Sequence, residues 1–448
     1  IGAVAVPFST WSKPAELEFL LKDSAASALF AVDRFGGQDF AAALASTAPN
    51  CPRLGQIVML GGERQPGWVP YEDFVGSIDH LTAADSAMPD GDCVVLYTSG
   101  SSARPKAVRL RHGTLIENGF NIGERMRLGP EDRVLLAPPL FWSYGAANAL
   151  PATLTHGAAL VLQPRFEPGE WLDLIERHRC TAVYTLPSMA GAALRHPEFR
   201  RERVASLRTG LMIGSPEEVR IAAEELGAAQ ICNIYGATET YGNCCVTPCE
   251  WPLERRMHGQ GPPLPGTRLR IVDPEAGRVL DPGEAGAVEV SGQVTPGYGG
   301  ASAELNDSAF TADGYFRTGD LGFLDREGSF HFVGRNTDMI KRAGINVSPA
   351  EVESLLLQHP AVAQAAVIGA ASGERGDAIV AFVVTSAGAT ADAEALRAHC
   401  RAVASSYKVP DRIEICAELP STETGKLLRR ALKDRAQTLF RKAPPTDG

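Results

Sequence analysis

The sequence predicts an α/β protein: a large N-terminal domain of doubly wound sheets, a β-rich, barrel-like subdomain, and a small C-terminal α+β domain. Three observations carry this. Between Val94 and Gly236 short apolar runs alternate with amphipathic helical patterns, and from about Val246 to Gly334 Pro and Gly punctuate short strands. After Gly334-Arg335 a strand-and-helix module of about a hundred residues follows, a normal size for a domain. With 448 residues, 44% of them hydrophobic and 21% charged, the chain can bury more than one core without disulfide staples.

Taken in order, VVLYTSG, RVLLAPP, AALVLQP, TAVYTLP, LRTGLMIG and QICNIYG read as buried strands of a largely parallel sheet. PGEWLDLIERHRC and PEEVRIAAEELG read as amphipathic helices between them. RLRIVD, AVEVSG and SFHFVG are the strands of the β-rich part. Ser348-Pro349-Ala350-Glu351 has the pattern of a capping box with proline at the first helical position, so a helix is expected from there to His359-Pro360. Strands AQAAVIG and AIVAFVV, the helix ADAEALRAHCRAVA and the strand RIEICAEL complete the module. The expected domains are 1–335 and 336–448, with the boundary near Arg335 to Thr337.

Charge excludes some functions. With 43 Lys and Arg against 53 Asp and Glu, the net charge of −10 and the lack of a dense basic run argue against a nucleic-acid groove. No apolar stretch reaches the roughly 20 residues of a membrane span, and a cytoplasmic protein is expected. Of nine cysteines only Cys244, Cys245 and Cys249 lie close together, without a second Cys/His pair at zinc spacing, so reduced thiols are expected. No Gly-x-Ser-x-Gly elbow suggests an esterase. The chain starts at Ile1 in what reads as mid-strand, so a preceding segment of the natural protein is expected.

Tyr97-Thr98-Ser99-Gly100-Ser101-Ser102-Ala103-Arg104-Pro105-Lys106 follows directly on a strand. Hydroxyls, backbone N–H groups and a lysine in one loop can surround a polyphosphate. It is not a Walker loop, because Pro105 precedes the lysine and Ala107 follows it. Downstream stand Asn233-Ile234-Tyr235-Gly236-Ala237-Thr238-Glu239, Tyr315-Phe316-Arg317-Thr318-Gly319-Asp320, Gly334-Arg335, Lys341-Arg342-Ala343-Gly344 and Thr424-Gly425-Lys426. With these blocks in this order, the sequence resembles the adenylate-forming superfamily: acyl-CoA synthetases, peptide-synthetase adenylation domains and firefly luciferase. The resemblance runs from Gly2 to about Leu432.

The resemblance implies activation of a carboxylic acid by ATP, release of pyrophosphate, and transfer of the acyl group from the adenylate to the thiol of CoA. It implies that Thr98, Ser99, Gly100, Ser101, Ser102 and Lys106 hold the β- and γ-phosphates, although Ala103 and Ala107 replace the usual glycines. Thr238 would donate to the α-phosphate, and Glu239 would hold Mg²⁺, a hard cation suited to carboxylate and phosphate oxygens. Tyr235 would lie against adenine, with Asn233 and Gly236 in the same block and Gly214, Ser215 and Pro216 as the other wall. Asp320 would accept from the ribose hydroxyls, with Arg335 beside it. Lys426 would reach the reacting carboxylate and phosphate, where one positive charge offsets the repulsion between two anions. In such enzymes the small domain is mobile; here Thr337 stands at the hinge, and Lys341 and Gly344 would serve the thioester step.

The acyl group is read from Pro138-Pro139-Leu140-Phe141-Trp142-Ser143-Tyr144-Gly145, where peptide-synthetase domains carry an aspartate for the substrate ammonium and this chain carries Trp142. An α-amino acid is therefore disfavoured. Trp142, Tyr144, Met212, Ile213, Thr240 and Tyr241 are the expected pocket lining for a hydrophobic acid, aromatic or fatty. Two alternatives remain open: an adenylate-forming ligase that loads the phosphopantetheine of a carrier protein, and a sensory relative that binds nucleotide or acyl ligand without turnover.

Overall fold

The computed structural model describes residues 2–62, 65–76, 88–98, 105–335, 338, 340–342, 345–371, 377–404, 408–421 and 427–441. They divide into two compact units: Ile1–Leu269 with Glu289–Arg317 and Glu327–Phe330, and Arg270–Val288 with Thr318–Arg326 and His331–Gly448.

In the first unit a six-stranded sheet runs Cys245–Val246, Gln230–Tyr235, Thr209–Met212, Ala182–Tyr184, Arg133–Leu136, Ala159–Leu162. All its ladders are parallel except the edge pair of Cys245–Val246 with Gln230–Tyr235. The inner strands read as continuous apolar runs because both faces are covered, while the edge strand Ala159–Leu162 is partly exposed. Leu135, Val183, Met212 and Ile231 point into one core with Trp171, Leu172 and Val219; Val134, Leu136, Ala182, Tyr184, Leu211, Cys232 and Ile234 point into another with Ile122 and Met126. The predicted helices stand at Pro168–His178 and Pro216–Glu224. Glu167 caps the first by accepting from Gly169 N and Glu170 N, and the exposed carboxyl is held below the usual carboxylate range by those two bonds.

One predicted strand belongs elsewhere. Asp92–Thr98 pairs antiparallel with Lys106–Arg111, and Tyr298–Gly299 adds antiparallel on the other side, as a separate three-stranded sheet. Only residues 99–105 join the first two strands. A parallel return needs a crossover of a dozen residues or more, so the chain can only turn back on itself.

The β-rich stretch supplies the strands Thr267–Val272, Gly286–Gly292, Phe316–Leu324 and Phe330–Arg335. In the second unit Val362–Ala371, Asp377–Thr385 and Arg412–Cys416 form a three-stranded sheet, antiparallel then parallel. One face packs Val367, Ile379, Ala381 and Val383 against Val352, Leu356 and Leu396. The other packs Ile368, Val380 and Phe382 against Leu432 and Ala436 of helix Arg429–Arg441, an element the sequence reading did not include. Helix Pro349–Leu357 starts where predicted, yet the capping box does not form: the Ser348 hydroxyl donates to Val333 O at 2.7 Å, and Glu351 pairs with Lys408. Among the described residues, no helix is long and apolar enough to cross a membrane.

Candidate functional site

Two neighbouring parallel strands, Thr209–Met212 and Gln230–Tyr235, end side by side; Gly214, Ser215 and Pro216 follow the first, and Gly236, Thr238 and Glu239 follow the second. Such ends of an open α/β sheet are where ligands bind. From the first, Gly214 leads to Ser215 and Pro216, which start a helix through a complete capping box: Glu218 Oε2 accepts from Ser215 N at 2.7 Å, and Ser215 Oγ accepts from Glu218 N at 3.4 Å. Asn233 Nδ2 donates across to Gly214 O at 3.5 Å, and Tyr235 packs its ring on Phe330 with centroids 4.4 Å apart.

The second strand runs into a tight turn. A Cβ on Gly236 would stand 2.3 Å from Gly242 O and 2.5 Å from the Asn243 Cα, so only glycine fits between these backbones. Ala237 O accepts from Thr240 N and Gly242 N, and Tyr241 closes the turn in the left-handed region at φ 55°. The turn carries Thr238 and Glu239 at its tip, both half-buried. Thr238 Oγ1 donates to Ser143 Oγ at 3.1 Å, while Glu239 Oε1 accepts from the Tyr298 hydroxyl at 2.8 Å and the Glu239 carbonyl from Thr295 N at 2.7 Å.

Lys106 enters from the antiparallel sheet, in register with Thr98 across the hairpin. Its Nζ lies 5.2 Å from the centroid of the Tyr298 ring, within cation–π range. Burial and the Glu239 charge both push the Tyr298 phenol well above its ordinary range, so the hydroxyl stays a donor. A lysine, a carboxylate and a threonine hydroxyl thus line one place, suited to a polyanion with a cation. Ser99, Gly100, Ser101 and Ser102 lie outside the described residues, as do Thr337, Gly344, Lys426 and the Lys341 side chain.

In the second unit Asp320 and Arg335 come together. The carboxylate is 5% exposed, the guanidinium 62%, and Arg335 Nε stands 3.1 Å from Asp320 Oδ1. Asp320 N donates to Thr318 Oγ1, which in turn donates to Val288 O, fixing the strand beneath the acid.

The six residues expected to line an acyl pocket separate into two groups. Four are committed to the protein's own packing. The Tyr144 hydroxyl donates to Leu211 O at 2.6 Å, and full burial pushes it well above the ordinary phenol range. Met212 is wholly buried, Thr240 braces Ala237, and Tyr241, also wholly buried, accepts from Arg111 N at 2.9 Å. Trp142 is half-buried and Ile213 is 53% exposed. Trp142 belongs to an aromatic group that sequence spacing does not reveal: Trp11 meets Phe141 edge-on at 4.8 Å and Trp142 at 5.8 Å. Tyr298 was missed as well, although it sits in a Thr295-Pro-Gly-Tyr-Gly-Gly run whose glycines signal close backbone approach.

The chain matches the family model described as AMP-binding enzyme over residues 1–299 and that described as AMP-binding enzyme C-terminal domain over residues 351–426. A feruloyl-CoA synthase from Amycolatopsis sp is 34% identical, over 97% of this chain and 84% of its own. The solved anthranilate CoA ligase AuaEII, in complex with anthranoyl-AMP, is similar with a TM-score of 0.87 at 29% identity, covering 98% of this chain and 84% of that one. ATP-bound MatB from Rhodopseudomonas palustris is similar with a TM-score of 0.86 at 27% identity, again covering 98% and 84%.

Proposed function

The chain belongs to the AMP-binding enzyme family, and from that premise we propose that it is an AMP-forming ligase joining a hydrophobic, aromatic carboxylic acid to CoA. Relatives named as a feruloyl-CoA synthase and as an anthranilate CoA ligase in complex with anthranoyl-AMP support the reaction class: in this reading ATP and the acid form an acyl-adenylate with loss of pyrophosphate, and the CoA thiol then takes the acyl group. The observation that carries the reading is the Lys106–Tyr298–Glu239 line, with Thr238 beside it. It is a cradle for charge at the ends of the strands.

The physical task is to bring a carboxylate onto the α-phosphorus of a polyanion. Positioned cations and donors perform it, because they need not reorganise as charge develops. In this reading Thr98, Ser99, Gly100, Ser101, Ser102 and Lys106 hold the β- and γ-phosphates, and Thr238 exchanges its bond to Ser143 for one to the α-phosphate. Gly214, Ser215, Pro216, Asn233, Tyr235 and Gly236 form the adenine wall, and Asp320 with Arg335 takes the ribose. Glu239 is the residue for Mg²⁺. Its fit is chemical: the Glu239 carboxylate, held through Oε1 by the Tyr298 hydroxyl, is a hard oxygen donor, and Mg²⁺ is commonly held by one or two carboxylates with substrate phosphates supplying the rest. When bound, the ion neutralises charge on the leaving pyrophosphate.

The small domain, residues 336–448 beyond the Thr337 hinge, brings Lys426 to the carboxylate and α-phosphate for adenylation and Lys341 with Gly344 for thioester formation. For the acyl group, Trp11, Phe141 and Trp142 offer partly exposed apolar surface next to Ser143, the partner of Thr238, and Ile213 is exposed at the end of the strand Thr209–Met212. Edge-on rings suit a flat aromatic acid, each such pair contributing about 0.5–1.5 kcal/mol beyond its buried area.

The test is mass spectrometry of products after incubation with ATP, Mg²⁺ and pooled aromatic, aliphatic and amino acids, with and without CoA. An aromatic acyl-CoA appearing only with CoA is expected. Products confined to fatty acids would overturn the acid class, and acyl-adenylates without thioester would make a carrier protein the acceptor. Lys426→Ala is expected to lower adenylation at least about a hundredfold with the fold intact. An unchanged rate would remove the role given to that lysine.

A further inference from the structure

Tyr298 stands at the centre of the charged part of the site, and its surroundings leave it little freedom. Its backbone is held on both sides by one side chain: Asn306 Oδ1 accepts from Tyr298 N at 2.8 Å, and Asn306 Nδ2 donates to Tyr298 O at 3.1 Å. The strand Tyr298–Gly299 is in register with Val108 and Ala107, the residues that follow Lys106. The ring is 3% exposed and packs with Val94, Leu96, Val108 and Phe316. A ring so packed cannot swing, so its hydroxyl is fixed where Glu239 Oε1 meets it at 2.8 Å.

The same ring carries the Lys106 ammonium over its face. One phenol therefore engages the cation through its π face and the anion through its O–H. Among the described residues no side chain donates to Glu239 Oε2, which leaves that oxygen for a ligand.

We infer that Tyr298 is a positioning residue for nucleotide activation, orienting Glu239 for the divalent cation of the bound nucleotide while it keeps Lys106 from pairing with the carboxylate. The inference rests on the role given to Glu239 above. The hydroxyl acts on the carboxylate and the ring acts on the lysine, so the two contributions are separable by substitution. Tyr298→Phe keeps the ring and loses the donor; Tyr298→Leu loses both.

The experiment is calorimetric binding of a non-hydrolysable ATP analogue to the full chain, with Mg²⁺ and with EDTA. Mn²⁺ binding in the presence of the analogue is followed by electron paramagnetic resonance, and thermal unfolding is recorded for each variant. Tyr298→Phe is expected to weaken analogue binding about tenfold in Mg²⁺, to leave it unchanged in EDTA, and to weaken Mn²⁺ similarly, because a hydrogen bond to a charged group is lost. Tyr298→Leu should also weaken binding in EDTA. In a Glu239→Gln background Tyr298→Phe should add nothing in Mg²⁺. Equal loss in Mg²⁺ and EDTA, with a lowered unfolding temperature, would make Tyr298 a packing residue only. No loss in Mg²⁺ would equally overturn the inference. If Glu239→Gln itself left metal-dependent binding intact, the assignment of Glu239 would fail instead, and the two failures are told apart by that single variant.

Discussion

The charged and aromatic halves of the candidate site are built by different means. Around Glu239 every element is held by backbone hydrogen bonds or by contacts that only glycine permits: Thr295 N to Glu239 O, Gly242 N to Ala237 O, and the close passage of Gly236 against Gly242 and Asn243. Around Trp142 the backbone is braced as well, by Trp142 N to Pro139 O and Ala146 N to Trp142 O, but the rings of Trp11, Phe141 and Trp142 meet only edge to edge, and Trp11 is 38% exposed. Phosphate chemistry tolerates little variation in where a cation and a carboxylate stand. A wall of rings in edge contact is less constrained, so changes there are expected to alter the choice of acid more than the chemistry.

The largest effect should come from breaking the charged half at its backbone. In Gly236→Ala the new Cβ would stand 2.3 Å from Gly242 O, so the turn must move. The expected cost is about 3 kcal/mol of stability, seen in the urea midpoint, with adenylation lost below detection in pyrophosphate release. A variant that adenylates normally would mean that the turn is not held as tightly as these contacts require. Next is Glu239→Gln, which keeps the shape and removes the charge. Adenylation measured by pyrophosphate release should fall about a hundred- to a thousandfold, while thermal unfolding moves little.

How far the site was legible in the sequence follows the same division. The turn Asn233 to Glu239 and the loop ending at Lys106 are runs of adjacent residues, so the chemistry appears as words in the chain. Tyr298 and Trp11 acquire their roles only through packing: Tyr298 meets Glu239 across 59 positions, and Trp11 reaches a segment about 130 positions away. Position near a motif does not show what a side chain touches. Thr240 and Tyr241 directly follow Glu239, yet their side chains brace the turn and the sheet beneath it. The inner strands and the helices of the six-stranded sheet were readable because burial on both faces leaves continuous apolar runs. The place of Asp92–Thr98 was readable only from the length of the connection, and the Ser348 hydroxyl had an alternative acceptor in Val333 O that no local pattern shows.

A smaller effect is expected from breaking the aromatic half. Trp11→Ala should raise the KM for an aromatic acid about five- to tenfold and leave the KM for ATP unchanged. A rise in both would mean that the ring supports the fold as a whole and not one wall of a pocket.

The smallest change probes the one described hydrogen bond between the halves. Ser143 follows Trp142 and accepts from Thr238 Oγ1 at 3.1 Å, so the aromatic segment holds the hydroxyl proposed for the α-phosphate. Ser143→Ala removes the acceptor, at a net worth of about 0.5–1.5 kcal/mol for such a bond. Thr238 is then free of a competitor, and ATP should bind about two- to fivefold more tightly when no acid is present. With a saturating aromatic acid the gain should shrink, because the segment bearing Trp142 is already engaged. Equal gains with and without the acid, measured by calorimetry, would show that Ser143 only competes for the Thr238 hydroxyl. Unequal gains would make the bond a physical link between the half that varies and the half that cannot.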